Sequence, residues 1–270
     1  MDFSEEQLER YSRHIILEDV GVEGQIEIMK AKVLIIGAGG LGSPVALYLA
    51  AAGVGTMGIM DADKVELSNL QRQIIHFTEN LNAYKVDSAA EKIIALNPEV
   101  TVKKYHELAL AANIGQIMEG YDFVIDGTDN FTAKFLINDA CVIKGIPFSH
   151  GGVLRFDGQT MTIIPGKSAC FRCIFTAPPP QGAIPTCSEA GILGAIAGIL
   201  GTIQAAECLK YITHVGELLT NALLIFNAKT MDFRKVKIHP NKDCSICGDN
   251  PTIVQLRDEQ QPVCDFNVPG

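Results

Sequence analysis

Val33-Leu-Ile-Ile36 feeds straight into Gly37-Ala38-Gly39-Gly40-Leu41-Gly42, and Ser43-Pro-Val-Ala-Leu-Tyr-Leu-Ala50 follows. An apolar run, a glycine turn and a helical pattern, in that order, make the strand–turn–helix that seats a phosphate at a helix N-terminus. Gly39 lets the backbone approach the anion, Gly42 lets helix and strand pack closely, and free N–H groups face the ligand. Alone, this loop indicates a nucleotide or dinucleotide. Most sites of this form bind NAD or FAD, and some matches are only tight turns.

A second signal lies one strand further on. Asp61-Ala-Asp63 follows Thr56-Met-Gly-Ile-Met60 and leads to Ser68-Asn69-Leu70-Gln71-Arg72-Gln73. Asp61, at a strand end past the loop, suits a ribose hydroxyl, with a turn or cap as the alternative. Asn69, Arg72 and Lys85 bring donors and cations to the same sheet edge. A dehydrogenase leaves its pyrophosphate largely to backbone N–H groups. Two fixed cations suit a triphosphate whose charge rises at the leaving oxygen. Asp129, in Asp126-Gly-Thr-Asp129-Asn130, comes just past the apolar run Phe123–Asp126. A lone carboxylate at that edge suits Mg²⁺ completed by phosphate oxygens. Any one of these residues alone reads as a solvated charge; gathered at one edge they read as a site.

The apolar runs Val33–Ile36, Thr56–Met60, Val100–Tyr105 and Phe123–Asp126 alternate with helical patterns at Leu41–Ala52, Ala83–Leu96, Ile114–Glu119 and Thr132–Lys144. That alternation predicts βαβ units and a parallel sheet. It stops near Pro147. Beyond it the pattern predicts strands at Gln159–Ile164, Ala222–Phe226 and Phe233–His239, and one long apolar helix from about Ser188 to Thr213. Ser4-Glu-Glu-Gln7 is a capping box that opens a helix through about Arg13. The expected architecture is α/β and Rossmann-like, a parallel nucleotide-binding sheet extended by antiparallel strands. No flexible linker is expected between the two halves.

The 270 residues are 47% hydrophobic and 20% charged, enough for a full core. The net charge of −9 argues against a general nucleic-acid binder. The acidic start, Met1-Asp-Phe-Ser-Glu-Glu, lacks the features of a signal peptide, and Ala190–Ala206 is glycine-interrupted, so a buried helix is expected rather than a membrane span. A cytoplasmic location is expected. In a reducing compartment Cys170-Phe-Arg-Cys173 and Cys244-Ser-Ile-Cys247 read as a tetrahedral zinc staple rather than disulfides. About 70 residues separate the pairs, so the metal would tie two remote loops together.

Asp61-x-Asp63-x-Val65-x-x-Ser68-Asn69-Leu70-x-Arg72-Gln73, together with Gly37–Gly42, Arg10-Tyr-Ser-Arg13 and Thr128-Asp129-Asn130, resembles the ubiquitin-activating-enzyme-like superfamily. The two C-x-x-C pairs are similar to those of its small MoeB/ThiF/HesA adenylyltransferases. The resemblance runs from about Leu8 to Gly248. It implies a single adenylation domain over 1–270: a nucleotide-binding half (1–150), a carrier-binding and zinc half (151–248), and a tail (249–270). It implies a homodimer that uses ATP and Mg²⁺ to adenylate the C-terminal Gly-Gly of a ubiquitin-like sulfur-carrier protein, as in molybdopterin- or thiamine-type sulfur transfer, and releases pyrophosphate. A separate sulfur donor is expected, because no rhodanese-like segment follows.

By that resemblance Arg13, Arg72, Lys85, Asp129 and Cys187 are the catalytic candidates. Gly37, Gly39, Gly40, Leu41, Gly42, Asp61, Asp63, Asn69, Arg72, Gln73, Lys85, Asp129 and Asn130 are the nucleotide and Mg²⁺ candidates. Arg13 corresponds to the arginine that reaches into the partner subunit's site, and Cys170, Cys173, Cys244 and Cys247 to the Zn²⁺ ligands. Cys187 precedes a helix, where a thiol can have a lowered pKa, and reads equally as a nucleophile or an inert loop cysteine. Cys141 and Cys208 lie in apolar helical patterns and read as core. The family often has glycine where this chain has Asn82, a residue that tolerates the left-handed conformation. An NAD-dependent oxidoreductase would leave Asn69, Arg72 and Asp129 idle, and a silent scaffold for a ubiquitin-like partner would not need them.

Overall fold

The strand–helix alternation builds a sheet that begins with the apolar run ahead of the glycine loop. The computed structural model describes residues 3–180, 182–183 and 190–259. In chain order its helices are α1 (Glu5–Arg10), α2 (Ser12–Ile15), α3 (Gly21–Lys30), α4 (Gly42–Ala52), α5 (Lys85–Leu96), α6 (Ile114–Ile117), α7 (Phe131–Lys144) and α8 (Gly194–Thr213). The strands are β1 (Lys32–Ile36), β2 (Thr56–Met60), β3 (Thr101–Tyr105), β4 (Phe123–Asp126), β5 (Phe148–Leu154), β6 (Asp157–Ile163), β7 (Ala222–Asn227) and β8 (Asp232–Lys237).

The strands form one sheet in the order β3-β2-β1-β4-β5-β6-β7-β8. From β3 to β5 every pairing is parallel, and from β5 to β8 every pairing is antiparallel. Val33 and Ile35 of β1 enter a core with Val45, Leu49, Ile93 and Cys208, from α4, α5 and α8. Leu34 and Ile36 enter the opposite core with Leu136, Cys141 and Ile246. A strand buried on both faces must be apolar throughout, which is why Val33–Ile36 shows no polar alternation. Removing the Leu49 side chain, fully buried in the first core, would cost about 2–5 kcal/mol.

Ser4 caps α1 through the capping box, but the helix ends at Arg10 and restarts at Ser12. The interruption is Tyr11, whose side chain is buried, with its hydroxyl donating to Glu99 Oε2 (3.1 Å) and accepting from Asn97 Nδ2 (2.9 Å). Two elements were not legible in the sequence: α3, which contains two glycines, and β5. β5 reads Phe-Ser-His-Gly-Gly-Val-Leu, a poor strand sequence by propensity. It forms because Gln204 of α8 packs where a Cβ at Gly151 would sit, and donates from Nε2 to the Asp126 carbonyl (3.0 Å) and the Ser149 carbonyl (3.2 Å). The parallel sheet therefore runs one strand beyond Pro147.

α8 begins at Gly194, later than its sequence pattern, since Gly191 is left-handed (φ +74°). Its length and apolarity would suffice to cross a bilayer. Here it is a core helix, with Leu200, Gln204 and Cys208 buried against α4 and the sheet. Asn82 is left-handed, φ +69°, as its place at the usual glycine position requires.

Candidate nucleotide-binding site and cysteine cluster

The register of the parallel strands levels Ile36, Met60 and Asp126 across β1, β2 and β4. Gly37, Asp61 and Gly127 are thus each the first residue beyond adjacent strand ends. The chain order reverses between β1 and β4, and such a reversal opens a crevice at the carboxyl edge. Gly37 is left-handed (φ +97°), and a Cβ on Gly42 would collide with the Gly37 carbonyl oxygen. The tight turn therefore needs both glycines.

Gly37 N–H donates to the Met60 carbonyl (2.8 Å), and Ala38 N–H to Asp61 Oδ2 (2.8 Å). The next four N–H groups, of Gly39, Gly40, Leu41 and Gly42, have no hydrogen-bond partner among the described residues. Four unpaired donors at the start of an eleven-residue helix are a ready anion site. Leu41 contributes only its backbone, because its side chain is buried with Ile196, Ala197, Leu200 and Phe226.

Around this turn the structure gathers most of the side chains singled out in the sequence. Arg72 lies beside Gly40, half-buried, with Nη1 donating to the Ser68 carbonyl (3.0 Å). Gln73 is buried with its Nε2 facing Gly39, and its Oε1 has no partner. Asn69 is buried and accepts the Glu66 N–H at Oδ1 (3.2 Å). Lys85 opens α5, with Nζ 2.7 Å from Asp63 Oδ2 and 4.0 Å from Asp61 Oδ2. Burial pushes the Asp61 carboxyl above its ordinary pKa, opposed by Lys85 and by the N–H donors of Asp63 and Ala38.

The loop after β4 completes this edge. Gly37 and the Gly127–Thr128 backbone are in contact, so this loop closes on the glycine turn. Asp129 is exposed and has no hydrogen bond or ion pair among the described residues. Asn130 caps α7, its Oδ1 accepting the Ala133 N–H at 2.8 Å, which gives this candidate a structural task. A carboxylate facing solvent at the same edge as the free N–H groups is of the type that suits Mg²⁺, which takes one or two carboxylates and otherwise phosphate oxygens and water.

Arg13 is not brought to this cluster. It is exposed on α2, next to Tyr11, and Tyr11 packs on Gly53 at the C-terminal end of α4. The free N–H groups lie at the other end of α4, about 16 Å away for eleven residues at 1.5 Å each. Cys187 and the tail's Cys264 lie outside the described residues.

Sequence reasoning missed a buried ion pair beneath the site. Asp126, which ends β4, accepts from Lys134 Nζ (3.0 Å), His150 Nδ1 (2.9 Å) and Thr128 Oγ1 (2.6 Å). Lys134 Nζ also donates to the Thr128 and Gly151 carbonyls. Burial alone would raise the Asp126 pKa; Lys134 and His150 outweigh it and hold the carboxyl down at about 2. Burial pushes the His150 pKa down, so the ring is neutral and Lys134 is the charge partner. The signal for this pair was a charged residue closing an otherwise apolar strand.

The two C-x-x-C pairs do converge. Sγ–Sγ distances are 3.9 Å for Cys170–Cys173, 3.6 Å for Cys170–Cys244, 3.4 Å for Cys173–Cys247 and 3.3 Å for Cys170–Cys247. Tetrahedral zinc with Zn–S bonds near 2.3 Å needs S–S separations of about 3.8 Å, so the four thiolates fit Zn²⁺. Cys141 and Cys208 are buried in the core. The described part of the tail is docked as well: Ile253 is buried in the second core, Ala111 N–H donates to Asp258 Oδ1 (2.8 Å), and Glu259 pairs with Arg172, between two of the thiols.

The ThiF family model matches residues 11–246. The chain belongs to the ThiF family. The "SAMP-activating enzyme E1" of Haloferax volcanii is 42% identical over 243 residues, covering 90% of this chain and 90% of that protein. The "Sulfur carrier protein adenylyltransferase" of Thermus thermophilus is 42% identical over 263 residues, covering 96% and 97%. Among solved structures, E. coli MccB with MccA-N7isoASN superposes with a TM-score of 0.81 at 21% identity, covering 92% of this chain and 76% of that one. That last likeness is one of fold.

Proposed function

We propose that this chain is an adenylyltransferase that activates the C-terminal carboxylate of a ubiquitin-like sulfur-carrier protein with ATP. The observation that carries the reading is the pairing of four free N–H groups at Gly39–Gly42 with two cations, Arg72 and Lys85, around one turn. A dinucleotide site needs the N–H groups and no such cations; a reacting triphosphate needs both. The family assignment, and the names of relatives aligned over nearly all of the chain, support it.

In this reading the carrier's terminal carboxylate oxygen attacks the α-phosphorus. An O–P bond forms to the carboxylate, and the α-phosphorus–oxygen bond to pyrophosphate breaks. A carboxylate needs no general base, so catalysis is positioning plus charge. Asp61 orients the ribose, the glycine-turn N–H groups hold phosphate oxygens, and Lys85, Arg72, Asn69 and Gln73 stabilise the charge that develops on leaving. Asp129 would hold Mg²⁺, which when bound would neutralise part of that charge. The four thiolates would hold Zn²⁺, which would join the Cys170–Cys173 loop to the Cys244–Cys247 loop and take no part in chemistry.

Arg13 acts on the neighbouring subunit's site, so the working unit is a homodimer. The distance along α4 supports this, since Arg13 sits at the far end of the helix from its own crevice. A separate donor supplies the sulfur that displaces AMP, and Cys187 is the thiol candidate for that exchange. The test is carrier-dependent exchange of labelled pyrophosphate into ATP, with ATP and NAD⁺ binding measured in parallel. Exchange that requires a carrier ending in Gly-Gly, with no NAD⁺ binding, is the expected result. NAD⁺ binding without exchange would overturn the reading in favour of an oxidoreductase.

A further inference from the structure

His76 lies between the two elements that carry the phosphate-binding groups, and none of the roles above uses it. It is 3% exposed, with Nε2 2.9 Å from the Ala38 carbonyl oxygen and Nδ1 2.9 Å from Ser88 Oγ. A carbonyl can only accept, so Nε2 carries the proton; Nδ1 is then bare and accepts from the Ser88 hydroxyl. Burial pushes the ring's pKa down, and Lys85 and Lys92 act in the same direction, which keeps this neutral tautomer.

The Ala38 residue is therefore held at both polar ends. Its N–H donates to Asp61 Oδ2 and its carbonyl accepts from His76. The next residues along the chain are Gly39 to Gly42, whose N–H groups are free. The other end of the His76 contact is Ser88, in the first turn of α5, three residues after Lys85. One imidazole thus spans from the glycine turn to the helix start that carries the lysine.

We propose that His76 is a positioning residue for the triphosphate: it braces the glycine turn against the first turn of α5, so that the free N–H groups and Lys85 are held in one fixed arrangement. The proposal rests on the nucleotide-binding reading above. Losing the brace leaves a buried carbonyl unpaired and lets the turn rotate away from its aligned position. The larger effect falls on the phosphates, because in that reading they are held by the Gly39–Gly42 N–H groups and Lys85, whereas the ribose is held by the Asp61 side chain, which the Asp63 N–H also fixes (2.8 Å).

The test is calorimetric or fluorescence-monitored binding of ATP and, separately, of adenosine to wild type, His76→Leu, His76→Gln and Ser88→Ala, with thermal unfolding of each. Glutamine can place its amide nitrogen where Nε2 sits and keep the donation to Ala38. Expected are a roughly tenfold weaker ATP affinity for His76→Leu, recovery to within about threefold of wild type in His76→Gln, and a few-fold loss in Ser88→Ala, all with a smaller change in adenosine affinity. If His76→Leu does not fold, Ser88→Ala and His76→Gln still decide the matter. Wild-type ATP affinity in folded His76→Leu or in Ser88→Ala would overturn the brace, as would equal losses for ATP and adenosine. Wild type that binds no ATP would overturn the nucleotide reading and the brace together; wild type that binds with unaffected variants overturns the brace alone.

Discussion

Lys85 Nζ is bound to Asp63 Oδ2 at 2.7 Å, joining a buried lysine to a carboxylate that is 65% exposed. The buried partner, Asp61, is further away at 4.0 Å. The lysine thus rests on the more exposed of two acids, and a phosphate that took Lys85 would have to displace only a solvated carboxylate.

That arrangement sets an order of affinities. Lys85→Met should weaken ATP binding about tenfold to a hundredfold, the range for losing a charge-assisted contact. Asp63→Asn should tighten it a few-fold by freeing the lysine. Calorimetry on the two variants checks both directions, and an Asp63→Asn protein that binds ATP less well would show that Asp63 contacts the nucleotide itself.

Arg13 and Asp129 should fail separately and recover together. Asp129 has no hydrogen bond or ion pair among the described residues, so Asp129→Ala should keep the wild-type melting temperature while losing pyrophosphate exchange. Losing a metal-bound carboxylate should cost several kcal/mol of transition-state stabilisation. Arg13→Ala should be similarly inactive. A heterodimer of the two variants has one site with both lesions and one with neither, so mixing should restore up to about half the activity per dimer. Exchanged subunits that remain inactive would place Arg13 outside the neighbour's site.

Metal analysis should find close to one zinc per chain, since four thiolates complete a tetrahedral site and leave no open position. Cys244→Ser, or removal of the metal by a chelator, should lower the melting temperature more than the exchange rate per folded molecule. An apo protein as stable as the metal-loaded form would count against the staple.

The buried Asp126–Lys134 pair makes an acid-dependent contribution to stability. Asp126 titrates at about 2 in the folded chain, against an ordinary value of 3.8, so the folded state favours its ionised form. That stabilisation, about 2 kcal/mol, is present above pH 3.8 and is lost as the pH falls through about 2. Asp126→Asn leaves the Lys134 charge unpaired and should cost about 3–5 kcal/mol near neutral pH. Denaturant titrations of both proteins should converge as the pH falls from 4 towards 2. A gap that stays constant over that interval would mean the carboxylate charge is not what holds this network.

Much of the parallel half of the sheet and its glycine turn was legible, because the signals there are local. Val33–Ile36 must be apolar to lie between two helical layers, Gly37 and Gly42 answer steric demands within a six-residue turn, and Asn82 marks a left-handed position by its own chemistry. The four cysteines announced a cluster by their spacing, since each pair sits on one short turn. What the sequence alone could not determine depends on contacts between distant segments. β5 is a strand because Gln204, more than fifty residues later, fills the space over Gly151 and satisfies its neighbours' carbonyls. That Asn130 caps α7 through its Oδ1 shows only once the helix is placed. Asp126, Lys134 and His150 form one network, and His76 reaches Ala38, only once strand order and register have set the sheet's carboxyl edge. Local steric and periodic constraints are written in adjacent residues; the partners of a buried polar group are chosen by the packing that removes water from it.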